Sequence, residues 1–369
     1  MGKQNRKKTE ILKYPFVSIC TPTFNRRPFI PIIIKCFENQ DYPKDRMEWI
    51  IVDDGSDKIE DLVAHLPLVK YLKYDQKMTI GKKRNITNDA AKGDIIVYMD
   101  DDDYYPPDRV SHAVSKLTSC KALCAGSSLM YLHFKHINKL YSFGPYGPNH
   151  ATAATFAFKR ELLKQTRFDE TSAVAEERKF LKDYTIPFVQ LDSTKTILVF
   201  SHNQNSFDKK ELLKQMPNPM INETLIQPKD IVKEPDLLKF FMEDIDGLLE
   251  KYEPGNIIHK PDVIKQIETI KIEREKKIQE LMKQQQSTMN NPNNPQLQQH
   301  LNQQAVIIQQ LTDENKQLKE KIEYMNKKIR ELIAMQIEKR KAENNDSTTN
   351  AAANSTKSDD EQHPPIEQT

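Results

Sequence analysis

The chain has 369 residues and a formal net charge of +2, which excludes a binding mode resting on global charge attraction to nucleic acid. Hydrophobic residues make up 37% and mean hydropathy is −0.71, too polar for one core throughout, and no stretch approaches the ~20 apolar residues of a membrane span. The polar N-terminus carries no secretory signal region, and Cys20, Cys36, Cys120 and Cys124 have no second Cys/His pair for a zinc site, so reduced thiols and a cytoplasmic setting are expected.

Residues 1–13, with the basic segment Lys3–Lys8, read as a disordered tail, and the apolar residues then concentrate in 14–200. Phe16–Cys20 reads as a first strand, followed by the loop Thr21-Pro22-Thr23-Phe24-Asn25-Arg26 and a helix over Phe29–Gln40. Glu48–Val52 is a second strand closed by Asp53-Asp54-Gly55-Ser56-Asp57; a helix over Ile59–His65 and a strand over Val69–Tyr74 follow. Gly81-Lys82-Lys83-Arg84-Asn85 opens a helix to about Lys92, and Ile95–Met99 is a fourth strand. This alternation predicts an α/β fold with a mostly parallel sheet flanked by helices, its ligands at the strand C-terminal ends.

The fourth strand runs into Asp100-Asp101-Asp102-Asp103, stopped by Pro106-Pro107. Alternation along an extended backbone would send Asp100 and Asp102 one way and Asp101 and Asp103 the other. Adjacent carboxylates repel more strongly as water is excluded, so such a run needs a counter-charge, and all-oxygen ligation favours Mg²⁺ or Mn²⁺. A solvated acidic turn is the plain alternative. On the same sheet edge, Pro22, Thr23, Phe24 and Arg26 can face a base and its phosphates, and Asp53 and Asp54 can accept from a base N–H or a ribose hydroxyl. Arg84 at a helix start suits a phosphate.

Further along, a helix is predicted over 111–125, strands at Leu129–Phe134, Lys139–Phe143, Ala153–Phe158 and Lys195–Phe200, and helices at Arg160–Gln165 and Glu176–Lys182. Residues 209–262 read as a proline-punctuated linker with a helical piece, 263–285 as a helix and 286–300 as a Gln/Asn-rich linker. Over 301–341 a coiled coil is expected, with Leu301, Ile308, Asn315, Ile322 and Ile329 at one heptad position and Leu311, Leu318, Met325 and Leu332 at the other. That pattern predicts a parallel homodimer through 301–336 with Asn315 fixing register; 342–369 reads as a disordered tail.

Five segments carry a family resemblance: Val17–Arg26, Ile51–Asp57, Gly81-x-x-Arg84-Asn85, Ala91-x-Gly93-Asp94 and Met99-Asp100-Asp101-Asp102-Asp103-x-x-x-Pro107-Asp108. In this order, over residues 16–110, they resemble the family 2 type of GT-A glycosyltransferases; the likeness continues more loosely through Thr155–Leu162 and Phe168–Glu170, giving a catalytic domain over 14–208. The resemblance implies that Pro22, Phe24, Arg26 and Asp54 hold the nucleotide, that Asp102 is the metal ligand, and that Asp100 and Asp101 face the ribose or the metal. The four successive Asp residues leave that register open by one position. It also implies a general base in the pair Glu176-Glu177, with Glu177 where the family carries Asp, and a metal or diphosphate contact from His202 in Ser201-His202-Asn203. His150 is a candidate for the acceptor side.

The activity so implied is metal-dependent (Mn²⁺ or Mg²⁺), inverting transfer of a sugar from a nucleoside diphosphate sugar, UDP-sugar favoured, to a hydroxyl on a glycan, protein or lipid. The alternatives are an inactive GT-A scaffold that works as a coiled-coil dimer, and a nucleotidyltransferase, which lacks its Gly-rich phosphate loop here. The composition resembles glycosyltransferases of giant DNA viruses or AT-rich protists, which would put a virion or viral factory beside the cytoplasm as a setting.

Overall fold

Strands β1 (Val17–Thr23) and β2 (Met47–Asp53) are buried along nearly their whole length, which suits a sheet covered on both faces. With β3 (Val69–Lys73) and β4 (Ile95–Tyr98) they form a parallel block in the order β3-β2-β1-β4. Helices α1 (Ile30–Glu38), α2 (Glu60–Val63) and α3 (Ile80–Ala90) are the crossovers. In α1, Ile30, Ile33, Cys36 and Phe37 are buried at helical spacing, and Phe37 stacks on Trp49 at 4.9 Å. The sheet then continues as β8 (Ala157–Lys159), β5 (Cys124–Gly126) and β9 (Phe188–Gln190), with β8 antiparallel to both β4 and β5.

This computed structural model describes residues 14–289 and 295–353 and divides into a unit ending at Glu275 and a second from Lys276. The expected tail 1–13 lies outside the described residues. The helix predicted over 111–125 is α4 (Arg109–Thr118), and Cys124 instead begins β5. Close packing dictates the small residues there: a Cβ on Gly126 would lie 2.8 Å from Thr155 Oγ1. The strand expected over 153–158 is a 3₁₀ turn at Ala153–Thr155 followed by β8. α5 (Glu177–Phe180) is a single turn.

A second sheet has the order β10-β6-β7-β11, formed by β6 (Met130–Phe134), β7 (Lys139–Phe143), β10 (Leu198–Phe200) and β11 (Ile221–Glu223). β11 lies in the stretch expected to be a linker. After α6 (Lys210–Leu213), residues 221–249 are packed. α7 (Pro228–Ile231), α8 (Pro235–Lys239), the π-helical turn Phe240–Asp244 and α9 (Ile245–Glu250) bury Ile231, Leu237, Phe240, Phe241, Ile245 and Leu249 in the core that holds β1 and β2. Phe241 stacks on Phe200 at 4.5 Å. The prolines 228 and 235 that suggested a linker sit in the first turns of these helices, where no N–H is missed.

α10 (Pro261–Met289) begins in the first unit. α11 (Pro295–Ala353) runs past the expected boundary at 341, with no Gly or Pro between Pro295 and Ala353 to stop it; 354–369 lie outside the described residues. On α11, Leu311, Leu318, Ile322, Met325, Ile329 and Leu332 are all exposed, whereas the Leu301 side chain is outside the described set.

Candidate active site

The acidic run leaves β4 and turns at once, so its side chains do not alternate. The Asp100 N–H donates to Tyr105 Oη at 2.7 Å, which bends the chain back. Tyr104 then forms an antiparallel bridge with Leu198 of β10. Beneath the turn, Arg109 is fully buried and donates through Nη2 to the carbonyls of Thr155 and Phe156 at 2.8 and 2.9 Å. The Tyr104–Leu198 bridge also explains how a residue a hundred positions away reaches the site: four residues after Leu198, His202 Nε2 lies 3.3 Å from Asp102 Oδ2.

Two arginines divide the run. Arg26 Nη2 is 3.3 Å from Asp102 Oδ2, and its Nε is 3.7 Å from Asp101 Oδ1, so adjacent carboxylates share one guanidinium. Arg84 takes Asp100 in a fork at 3.1 and 3.0 Å and Glu176 Oε1 at 2.7 Å, while lying over the Tyr98 ring at 4.4 Å. Asp100, expected beside Asp102, is therefore turned to Arg84, and Arg84 itself meets carboxylates rather than open space.

Burial dominates the electrostatics. It pushes the Asp101 carboxyl up to about 7, with the Asp102 charge adding to the shift. Asp103 is raised for the same two reasons. Burial also opposes ionisation of Asp102, but His202 and Arg26 outweigh it and hold this carboxyl well below the usual range. Burial lowers His202 to about 4 against the pull of Asp102, so the ring is neutral at pH 7, the form that ligates metals. Burial, then Glu176, lifts Glu177 to about 7.

A cavity of about 270 Å³ opens at this edge, walled by Pro22, Phe24, Arg26, Arg84, Asp100–Asp102 and Glu176 among others. Thr23, Asp53, Asp54, Glu177 and His202 do not line it. Asp53 is occupied by its own loop: it accepts from Gly55 N at 2.8 Å, Ile59 N at 3.1 Å and Tyr71 Oη at 2.7 Å. Asp54 sits one layer back, accepting from Met78 N at 2.5 Å and Lys83 Nζ at 2.8 Å; Lys83 also donates to the Thr23 carbonyl at 3.0 Å. His150 packs between Tyr146 and Tyr184, at 4.9 and 4.7 Å, away from the cavity wall.

The cavity also has walls that sequence reasoning missed: Lys77, Ser206, Lys260, Asp262 and Val263. The last three come from the start of α10 and the residue before it, in a stretch read as linker and helix. The one available signal was Lys260-Pro261-Asp262, a charged residue ahead of a helix-initiating proline.

Among the described residues no group of three His, Cys, Asp or Glu side chains is placed to hold a metal. The donor chemistry still fits a cation. Asp103 Oδ1 is buried with no hydrogen-bond partner among the described residues, and the cation nearest Asp101 is Arg26, at 3.7 Å. Mg²⁺-type ions commonly take one or two carboxylates and complete their shell with substrate phosphates and water.

Residues 18–182 match the family described as Glycosyl transferase family 2. Over this segment the chain is similar to family 2 glycosyltransferases. The segment contains the parallel block β3-β2-β1-β4 and the antiparallel β8 that continues it. Among curated relatives, the poly(ribitol-phosphate) beta-N-acetylglucosaminyltransferase TarS of Staphylococcus aureus is 30% identical over 103 residues, 27% of this chain and 18% of its own. The GalNAc(5)-diNAcBac-PP-undecaprenol beta-1,3-glucosyltransferase of Campylobacter jejuni is 28% identical over 173 residues, 42% of this chain and 55% of its own. This chain thus spans about a fifth to about half of these relatives. A crystal structure of S. aureus TarS residues 1–349 aligns over 50% of this chain and 60% of that one, with TM-score 0.43 and 19% identity. The family match ends at Phe180–Lys182, so the segment that supplies Lys260 lies outside it.

Proposed function

We propose that this chain is a metal-dependent, inverting glycosyltransferase that moves a sugar from a nucleoside diphosphate sugar, UDP-sugar favoured, to a hydroxyl acceptor on a glycan, protein or lipid. The observation that carries the reading is the cavity wall: Asp100–Asp102 and Glu176 face Arg26 and Arg84 at the C-terminal edge of the parallel strands of a family 2 domain. A scaffold would have no use for so many carboxylates held out of water.

Asp102 and Asp101, with His202, would hold Mn²⁺ or Mg²⁺, which when bound neutralises charge on the diphosphate leaving group. Phe24 offers a ring face to the base. Arg84 holds Asp100 and Glu176 in place. Among the described residues Glu177 makes no ion pair, and its raised pKa suits a general base near neutral pH. It takes the acceptor hydroxyl's proton while the acceptor oxygen bonds to the anomeric carbon and the bond from that carbon to the diphosphate breaks. Nucleoside diphosphate leaves.

The test is a donor panel of UDP-sugars and GDP-mannose with the full chain, in Mn²⁺ and in EDTA, reading nucleoside diphosphate release. Expected is metal-dependent release from one donor, lost by at least about a hundredfold in Asp102→Asn with the melting temperature retained. No release from any donor, and no thermal shift with UDP or GDP plus Mn²⁺, refutes the reading.

The exposed stripe on α11 supports a homodimer. Sedimentation should give twice the chain mass, and Leu318→Asp with Met325→Asp should give one; a wild-type monomer at tens of micromolar refutes it.

A further inference from the structure

Five cationic side chains wall the cavity: Arg26, Lys77, Lys83, Arg84 and Lys260. Four have a carboxylate within ion-pair distance. Arg26 has Asp101 and Asp102, Lys77 has Asp262 at 2.5 Å, Lys83 has Asp54, and Arg84 has Asp100 and Glu176. Lys260 is different. It is 6% exposed, its Nζ donates to Ser206 Oγ at 3.1 Å, and among the described residues no carboxylate lies within 4.0 Å of it. A buried ammonium without a counter-ion is costly. Its Nζ lies 5.9 Å from the centre of the Phe24 ring, over which Lys77 and Lys83 also sit.

The segment that delivers Lys260 is tied down on both sides of the cavity. The Pro254 carbonyl accepts from Asn25 Nδ2 at 2.9 Å, and Tyr252 Oη donates to Asp57 Oδ2 at 2.8 Å. Gly255 fits because a Cβ there would come within 1.9 Å of Gln204 Oε1. Six residues past Lys260, Gln266 Oε1 accepts from the N–H groups of Ala173 and Val174 at 2.7 and 2.8 Å, just ahead of Glu176. Lys260 is therefore held at a fixed point between the loop after β1 and the loop before α5.

We propose that Lys260 binds the diphosphate of the donor, its ammonium pairing with a phosphate oxygen, so that residues beyond the family 2 domain complete the donor site. This rests on the donor reading above. The charge that Lys260 lacks in the free protein is the charge the substrate brings. The same arrangement makes affinity for the diphosphate depend on a segment some eighty residues past the end of the family match.

The test uses the full chain as wild type, Lys260→Met and Lys260→Arg, titrated calorimetrically in Mn²⁺ with UDP and UMP, and with GDP and GMP. Wild type should bind the diphosphate of one base more tightly than its monophosphate. Lys260→Met should shrink that ratio by roughly tenfold to a hundredfold, as expected for one charge-assisted hydrogen bond, and Lys260→Arg should keep it within a few-fold. Without nucleotide, Lys260→Met should melt at or above the wild-type temperature, because an unpaired buried charge is gone. An unchanged ratio in Lys260→Met overturns the proposal. So does a low melting temperature with equal losses for diphosphate and monophosphate, which marks a structural role. A wild type that binds none of the four nucleotides overturns the donor reading and this assignment with it.

Discussion

Replacing Arg84 with Met tests the electrostatic frame of the site. The guanidinium is nearly fully buried, forks onto Asp100 at 3.1 and 3.0 Å, and holds Glu176 at 2.7 Å. Met fills similar volume over the Tyr98 ring but leaves two carboxylates with no cation. Breaking a buried pair in this one-sided way costs about 3–5 kcal/mol. For a domain of this size each kcal/mol moves the melting midpoint by about 2–4 °C, so the loss at pH 8 should be roughly 6–20 °C. The sign of the pH dependence follows. Burial already raises the folded-state pKa of Asp100; without Arg84 it rises further above the unfolded value, so the variant keeps more of its stability where Asp100 is protonated and loses it as pH rises through the raised value. The deficit should therefore shrink between pH 8 and pH 5. Differential scanning fluorimetry across that range measures it. A loss under about 2 °C at pH 8, or a deficit that does not change with pH, would refute the claim that Arg84 neutralises the two carboxylates. Arg84→Lys should recover only part of the loss, since one ammonium cannot reproduce the fork.

With Glu177 as the base, kcat/KM should rise about tenfold per pH unit up to about 7 and then level, because only the ionised carboxylate accepts a proton. Glu177→Gln should be flat and at least about a hundredfold slower, and a wild-type profile with no break between pH 5.5 and 8.5 refutes the role. The same raised pKa stabilises the folded state at low pH, an effect lost as pH rises from 4.5 through about 7. Asp53→Ala leaves two N–H groups and the Tyr71 hydroxyl without their acceptor, so it should cost about 2–5 kcal/mol in urea unfolding. Its nucleotide affinity should stay within a few-fold of wild type; a large affinity loss in protein that remains folded would return Asp53 to the binding site.

The sheet and its ligand edge were legible because each cue was local. β-Branched runs at 49–52 and 95–98, each ending in carboxylates, set strand and loop without knowledge of what packs on them. That the acidic run follows a strand end was legible for the same reason, and Asp100–Asp102 do wall the cavity. The run's side-chain directions were not legible, because alternation assumes an extended backbone, and the Tyr105 hydroxyl and the Tyr104–Leu198 bridge bend this one. Asp53 and Asp54 illustrate the limit. The sequence marks both as strand-end carboxylates, but only three-dimensional contacts reveal that one closes its own loop and the other positions Lys83. Prolines 228 and 235 misled in the other direction, since a helix-initiating proline and a linker proline look alike until the apolar residues that follow are seen to be buried.

The least legible part of the site is the most distant in sequence. A carboxylate-rich turn exposed to water and one lining a cavity have the same composition; what separates them is the counter-charge brought by other elements. Arg26 and Arg84 come from the loop after β1 and from α3, inside the motif block, and could be anticipated as a group. His202 arrives by way of the Tyr104–Leu198 bridge, and Lys260 by way of the contacts of Asn25, Asp57 and Gln204 with residues 249–255. The buried Phe240, Phe241 and Leu249 anchor the chain that carries Lys260 back across the domain. Residues 209–263 thus connect packing to chemistry: the apolar side chains that extend the core also fix where the last cation of the cavity stands.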